Sequence, residues 1–198
     1  SAPLKKNLWQ QTIIAKINNQ ANGLALLDKQ NDKLRKWSRE VLSGDSTNKE
    51  ANAAAFYWER FFDIPGFYRG QKAMPPNNLL NYGYAILRAV CARALIGSGL
   101  LPALGIHHAN KYNAYCLADD IMEPYRPFVD QVVYSIVQQN MPIDKLSPEI
   151  KQQLLIIPAM DVVIDGKNSP LMVAMSRTTH SLYECYTGVS RKILYPIL

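Results

Sequence analysis

Apolar residues recur at spacings of three and four along nearly every long segment of this chain, and that period restricts it to a helical fold with one short exception. The pattern is sharpest at Val129, Val132, Val133, Ile136 and Val137, with Asp130, Gln131, Gln138 and Gln139 expected on the opposite face and Pro127 in the first turn. Ala51, Ala54, Ala55, Trp58, Phe61 and Phe62 define a second amphipathic helix that ends before Asp63, Pro65 and Gly66. From Asn77, one face carries Leu80, Tyr84, Leu87, Cys91, Ala94 and Ser98, with Leu79, Gly83, Ile86 and Val90 beside it. A helix apolar around most of its circumference belongs at the centre of a bundle. Gly97, Gly99 and Pro102 end it, and Leu104 to Tyr115 should form a turn or short helix. Lys5 to Asn19 and Asp28 to Ser43 supply two helices at the front, and a last helix runs from about Pro170 towards Gly188. The exception is Met160 to Asp165, where Val162, Val163 and Ile164 predict a strand closed by an Asp165-Gly166 turn. The expected architecture is an all-α, multi-helix bundle with at most one short strand or hairpin.

With 198 residues, 48% of them apolar, the chain can bury a core without staples, which excludes disorder as its main state. Cys91, Cys116 and Cys185 form no CxxC pair, which argues against a disulfide framework and a thiolate zinc site. The longest uncharged apolar stretch, Ala94 to Ile106, is interrupted by Gly97, Ser98, Gly99 and Pro102 and is too short to cross a bilayer. With no signal-peptide pattern at the start, a cytoplasmic protein without membrane association is expected. The net charge of +6 suits a polyanionic partner such as nucleic acid.

Three polar groups stand out. Glu50 follows Thr47 by three residues, the spacing of a capping box in which Glu50 bonds back to the N-cap amide. The pair His107-His108 lies in the connection after the central helix. Asp119, Asp120 and Glu123 cluster before Pro124, and Asp120 and Glu123 share a face at i and i+3 among apolar neighbours. Such a carboxylate pair needs a cation, which Arg126 supplies in the structural reading and a metal ion in the functional one. Carboxylate oxygens with one imidazole suit Mg²⁺ or Mn²⁺ better than zinc.

The runs Leu79-Leu80-Asn81-Tyr82-Gly83-Tyr84-Ala85-Ile86-Leu87, Gly105-Ile106-His107-His108 and Asp120-Ile121-Met122-Glu123-Pro124-Tyr125-Arg126-Pro127-Phe128-Val129-Asp130 resemble the CRISPR spacer-acquisition integrase and endonuclease family. Thr47-Asn48-Lys49-Glu50-Ala51 looks like that family's first active-site motif, and the details look most like the subtype accompanying a single-protein, RNA-guided effector nuclease. The resemblance implies that residues 1–198 form the family's helical, metal-dependent catalytic domain, without its N-terminal β-domain. It also implies metal ligands at Glu50, His108 and Glu123, with Asp120 as a further catalytic residue, either fourth ligand or proton acceptor. Lys49, Lys111 and Arg126 are the implied DNA contacts, with Arg88 and Arg93 as further candidates on surface-facing positions.

The activity implied is phosphodiester transesterification that inserts new spacers into the CRISPR array, with DNA hydrolysis as the side reaction. The implied partners are double-stranded and branched DNA, a small adaptation subunit of ferredoxin-like fold, and a second copy of the full-length protein. Two rivals remain at this stage. Asp119-Asp120-Ile121-Met122-Glu123 matches the DDxxE pattern of helical prenyl-diphosphate enzymes, which also use magnesium. The other is a non-catalytic helical module that binds nucleic acid and whose carboxylates are structural.

Overall fold

The computed structural model describes residues 1–198. Helix α1 (Ala2–Leu26) begins with Pro3 in its first turn and extends well beyond the expected segment. It buries Leu8, Ile13, Ile17, Ala21 and Leu24 and packs against α2 (Asp32–Arg39), α3 (Lys49–Phe61) and α6 (Arg126–Val137). Helix α4 (Asn77–Gly97) crosses the centre, in contact with α6 and with α8 (Leu171–Thr187). By length and composition alone α4 could cross a membrane; here half of its most apolar stretch is buried within the bundle. The short α5 (Cys116–Ile121) and the tight turn Glu123–Tyr125 lead into α6, and α7 (Pro148–Leu154) packs on α6. A hairpin of β1 (Asp161–Ile164) and β2 (Lys167–Pro170), with Val162 opposite Ser169, makes up the only sheet. Asp165 and Gly166 both have positive φ, as a two-residue hairpin turn requires.

The central helix behaves as its sequence dictates: Leu79, Leu80, Gly83, Tyr84, Leu87, Cys91 and Ala94 are buried. At Gly83 a Cβ would stand 2.5 Å from Val129 Cγ1, so only glycine permits this approach of α4 to α6. Four details depart from expectation. The second helix, Asp32–Arg39, is shorter than Asp28 to Ser43: Asp28 leaves α1 with positive φ, and Leu42 is already extended. Helix α1 runs over Ala2–Leu26 rather than Lys5 to Asn19, whereas Leu104 to Tyr115 forms turns, one of its two expected forms. Helix α7 was not expected, although Ser147 caps it by accepting from the Ile150 amide, with Pro148 in the first turn.

The fourth departure is rotational. Helix α3 buries Ala53, Phe56, Tyr57 and Phe61, while Ala51 and Ala55 face solvent. Turning the aromatic rings inward removes more apolar surface than burying alanines. It also brings the Tyr57 hydroxyl to Asp130 Oδ2 at 2.7 Å. Asp130 was expected outward but is 1% exposed, and it accepts a second hydrogen bond from the Tyr84 hydroxyl. Burial raises its carboxyl to about 7, against the pull of the two tyrosines and of Arg126 and Arg69.

Because that folded value lies above the ordinary 3.8, the folded state takes up a proton that the unfolded state releases. This contribution to stability therefore grows as pH falls from about 7 towards the unfolded value. Asp130→Asn keeps a partner for each tyrosine hydroxyl and removes the titration. Urea midpoints measured across that window should rise on acidification in the wild type and lose that component in the variant.

Candidate active site

The turn after α4 is organised by a fully buried carboxylate. Asp120 Oδ2 accepts the backbone amides of Ile106 (2.7 Å) and His107 (2.9 Å). Asp120 Oδ1 faces the His108 amide at 3.3 Å and His108 Nδ1 at 2.5 Å. Gly105 is required here, since a Cβ would stand 2.1 Å from the His108 carbonyl oxygen and 3.0 Å from Asp120 Oδ2. Hydrogen bonding to Asp120 raises the His108 pKa despite partial burial, with Glu123 and Glu50 adding smaller attractions. The Nδ1 side of the imidazole is thus fixed, and Nε2 is left without a partner in the half-exposed ring. His107 instead stacks flat on Trp9, ring centres 4.2 Å apart.

The other two acids meet on a residue that the sequence reading missed. Lys16 Nζ, from α1, lies 2.7 Å from Glu50 Oε1 and 2.5 Å from Glu123 Oε2. Arg126 Nε closes on Glu123 Oε1 at 2.8 Å, the local ion pair expected at i,i+3. Burial raises the Glu123 carboxyl, but Arg126 and Lys16 outweigh it and hold the group at about 2. Glu123 Oε2 is buried, and the Lys16 ammonium at 2.5 Å is its close partner. Lys16 loses affinity for its proton through burial and regains more from Glu123 and Glu50, so it stays charged.

Glu50 does not serve the capping box. Asn48, the residue before α3, sits in the left-handed region, and the Asp45 carboxylate accepts the amides of Lys49 (2.8 Å) and Glu50 (2.9 Å). Asp45 does what was expected of Thr47, and the Glu50 side chain is released towards Lys16. A signal for Lys16 existed in the sequence. Thr12, Lys16, Asn19 and Gln20 form a polar stripe at helical spacing on α1, and Thr12, Asn19 and Gln20 are buried.

Glu50, His108 and Glu123 come from three segments and converge on one region, close enough for both acids to act electrostatically on His108. No three acidic or imidazole groups close into a chelating cluster in this arrangement. The DDxxE reading loses its geometry, because its acids face three different partners. Asp119 forms a two-pronged pair with Arg88 (both contacts 2.8 Å), Asp120 holds the His108 turn, and Glu123 meets Lys16 and Arg126.

Among the expected DNA contacts, Lys111 is exposed and Lys49 pairs with Glu40 at 3.3 Å. Arg88 is spent on Asp119, and Arg93 lines a groove of about 730 Å³ between α4 and α8 that contains no acid or imidazole. A smaller cleft of about 170 Å³ opens beside Glu123, lined by Lys16, Trp58, Arg69, Tyr84, Arg126 and Asp130 among others. Arg69 was also missed by the sequence reading.

The bundle is shared with a casposase solved bound to an integration product, at TM-score 0.79 and 22% identity over 96% of this chain and 62% of that one. A Cas1 protein from Thermotoga maritima matches at TM-score 0.76 and 18% identity, over 93% of this chain and 66% of that one. These likenesses show the fold. The family described as CRISPR associated protein Cas1 matches residues 4–149. The CRISPR-associated endonuclease Cas1 of Neisseria meningitidis serogroup C (strain 8013) is 37% identical over 201 residues, covering 98% of this chain and 64% of that protein. A second relative, CRISPR-associated endonuclease Cas1 2 of Pyrobaculum aerophilum, is 35% identical over 146 residues, 73% of this chain and 48% of that protein. The chain belongs to the Cas1 family, and it spans less than two thirds of either relative.

The Asp120 arrangement makes a direct prediction. Asp120→Ala orphans several donors, two of them backbone amides on a single oxygen, and should cost about 2–4 kcal/mol in urea denaturation. His108→Ala removes a half-exposed ring and should stay within about 1 kcal/mol of wild type. In Asp120→Asn, proton NMR should show the His108 imidazole titrating at lower pH than in the wild type, since the hydrogen bond that raises it is weakened.

Proposed function

We propose that this chain is the helical catalytic domain of a CRISPR adaptation integrase and endonuclease, acting on DNA phosphodiesters with a divalent metal ion. One observation carries the reading: Glu50 and Glu123, from separate segments, share a single cation beside an imidazole whose Nε2 is free. The donor set fits a hard ion. The two carboxylates already hold a positive charge between them, and Glu123 Oε2 is a buried oxygen whose close partner is that exchangeable ammonium. Glu50, Glu123 and the Nε2 of His108 are the groups that would hold Mg²⁺ or Mn²⁺. When bound, the ion supplies Lewis-acid charge at the scissile phosphate.

The chain's own residues do the rest. Asp120 fixes the imidazole tautomer and direction by accepting from Nδ1, as a carboxylate behind a ligating histidine does. Asp120 is therefore a positioning residue in this reading, with both oxygens engaged, rather than a fourth ligand or proton acceptor. Arg126 compensates Glu123 from the side opposite Lys16, which keeps the carboxylate ionised without a metal. Lys111 and the cations beside Glu123 provide charge for a DNA backbone.

The substrates we infer are double-stranded and branched DNA, joined through free 3′-hydroxyl ends, with strand hydrolysis as the side reaction. In this reading the protein acts as a homodimer with a small ferredoxin-like partner in the prokaryotic cytoplasm. The family membership supports this, as does a solved Cas6-RT-Cas1–Cas2 complex that shares the fold at TM-score 0.76 and 21% identity, over 99% of this chain and 25% of that one.

Two measurements test the reading. Branched DNA with a free 3′-hydroxyl, incubated with Mn²⁺ or Mg²⁺, should be resolved by the wild type and at least about 100-fold more slowly by His108→Ala. DNA binding that survives EDTA and His108→Ala, without strand cleavage or joining under either metal, would instead establish a non-catalytic binding module. The second measurement concerns Lys16, whose ammonium must leave the gap for an ion to enter. Lys16→Met should bind Mn²⁺ about tenfold more tightly, read from the signal of free Mn²⁺ in electron paramagnetic resonance titrations.

A further inference from the structure

The cleft beside Glu123 contains more positive charge than its acids can absorb. Lys16, Arg69 and Arg126 line it, against Glu123 and Asp130. Glu123 is already shared between Lys16 and Arg126. Asp130 is turned into the Tyr57 and Tyr84 hydroxyls, and its raised carboxyl reduces its negative charge near neutral pH.

Arg69 has no carboxylate partner at all. Its guanidinium is held by neutral oxygens: Asn77 Oδ1 at 2.8 Å, Asn81 Oδ1 at 2.7 Å and the Gly70 carbonyl at 3.3 Å. The same Asn77 accepts the Gly70 amide at 3.0 Å and donates to the Tyr68 and Met74 carbonyls, so the loop carrying Arg69 is fastened to α4. Arg126 spends only Nε on Glu123, and its two terminal nitrogens make no hydrogen bond within the protein. Both guanidinium groups lie over the Tyr84 ring, with Arg126 at 4.6 Å and Arg69 at 5.3 Å from its centre. Two fixed planar cations, one without a counter-ion and one with free terminal donors, form a receptor for a tetrahedral oxyanion.

We propose that this cleft is a subsite for a backbone phosphate of the bound DNA strand, with Arg69 as its principal anchor and Arg126 as its second donor. The subsite rests on the DNA-processing reading above and adds to it the position of a phosphate other than the scissile one. Trp58, in the same wall, offers an aromatic face to the neighbouring nucleotide.

The test uses the full 198-residue chain and branched DNA labelled for fluorescence anisotropy. Arg69→Gln should bind about tenfold more weakly, with a salt slope shallower by about 0.9, as loss of one phosphate contact requires. Arg69→Lys, which keeps the charge, should recover part of the loss. Loosening of the loop alone could also weaken binding, so neutral methylphosphonate linkages are walked along the strand. In the wild type one position near the junction should weaken binding, and in Arg69→Gln that same position should cost nothing further. Independent, additive losses at every position, or an unchanged salt slope, would overturn the subsite while metal-dependent cleavage by the wild type left the parent reading intact. A wild-type chain that failed to bind DNA would overturn both.

Discussion

The ammonium of Lys16 between Glu50 and Glu123 is the interaction on which the arrangement of this molecule turns. Two carboxylates can approach one another in a poorly hydrated setting and both stay ionised only if a cation stands between them. By supplying it, α1 fixes the start of α3 and the turn into α6 at a single point. Arg126 then balances the second charge of the group, so that two acids and two bases are closed off together. Such a cluster does little for net stability, because desolvation consumes most of the Coulomb gain. Its effect is on geometry, since any shift of α1 along its axis would part Lys16 from Glu50, which has no other ion-pair partner.

Asp120 and Glu123 are separated by one helical turn and are both buried, yet their oxygens are satisfied by different means. Asp120 is surrounded by N–H groups of its own connection, which fold the chain back on itself and aim His108. Glu123 is surrounded by side-chain cations. Backbone amides cannot be displaced without unfolding the turn, whereas an ammonium on a four-carbon stem can move. The acid that only organises therefore has the rigid solvation, and the acid proposed to bind has the exchangeable one.

The helices were legible because burial of one apolar stripe is a local property of spacing; α4 and α6 carry nearly the stripes they display. Legibility ended where a polar group found its partner across the fold. Asp130 reads as a surface residue until Tyr57 and Tyr84 are brought to it, and the same contacts turn α3 away from its alanine stripe. The capping box was a sound local reading, overridden because Asp45 reached the same amides from further back in a left-handed turn. The strand β2, Lys-Asn-Ser-Pro, has no β pattern of its own and exists through pairing with β1. Of the candidate site, Glu50, His108 and Glu123 were implied by the family resemblance rather than by any local pattern. Lys16 stayed hidden because both its carboxylate partners lie far along the chain, and Arg69 because its partners are neutral oxygens that form no charge pattern.

A site proposed to hold a divalent ion must still fold without it, and the charge distribution here meets that requirement. Carboxylates left bare would either protonate or repel, and both outcomes would loosen the segments that carry them. A fixed guanidinium in the gap would satisfy the fold but would exclude the ion for good. A lysine satisfies both conditions, since its charge is equal and its stem can swing aside. Lys16 lines one cleft with Arg69 and Arg126, a region already short of negative charge. In the proposed function, occupation of the carboxylates by a metal ion and attraction of a phosphate to that cleft would both act on this one side chain.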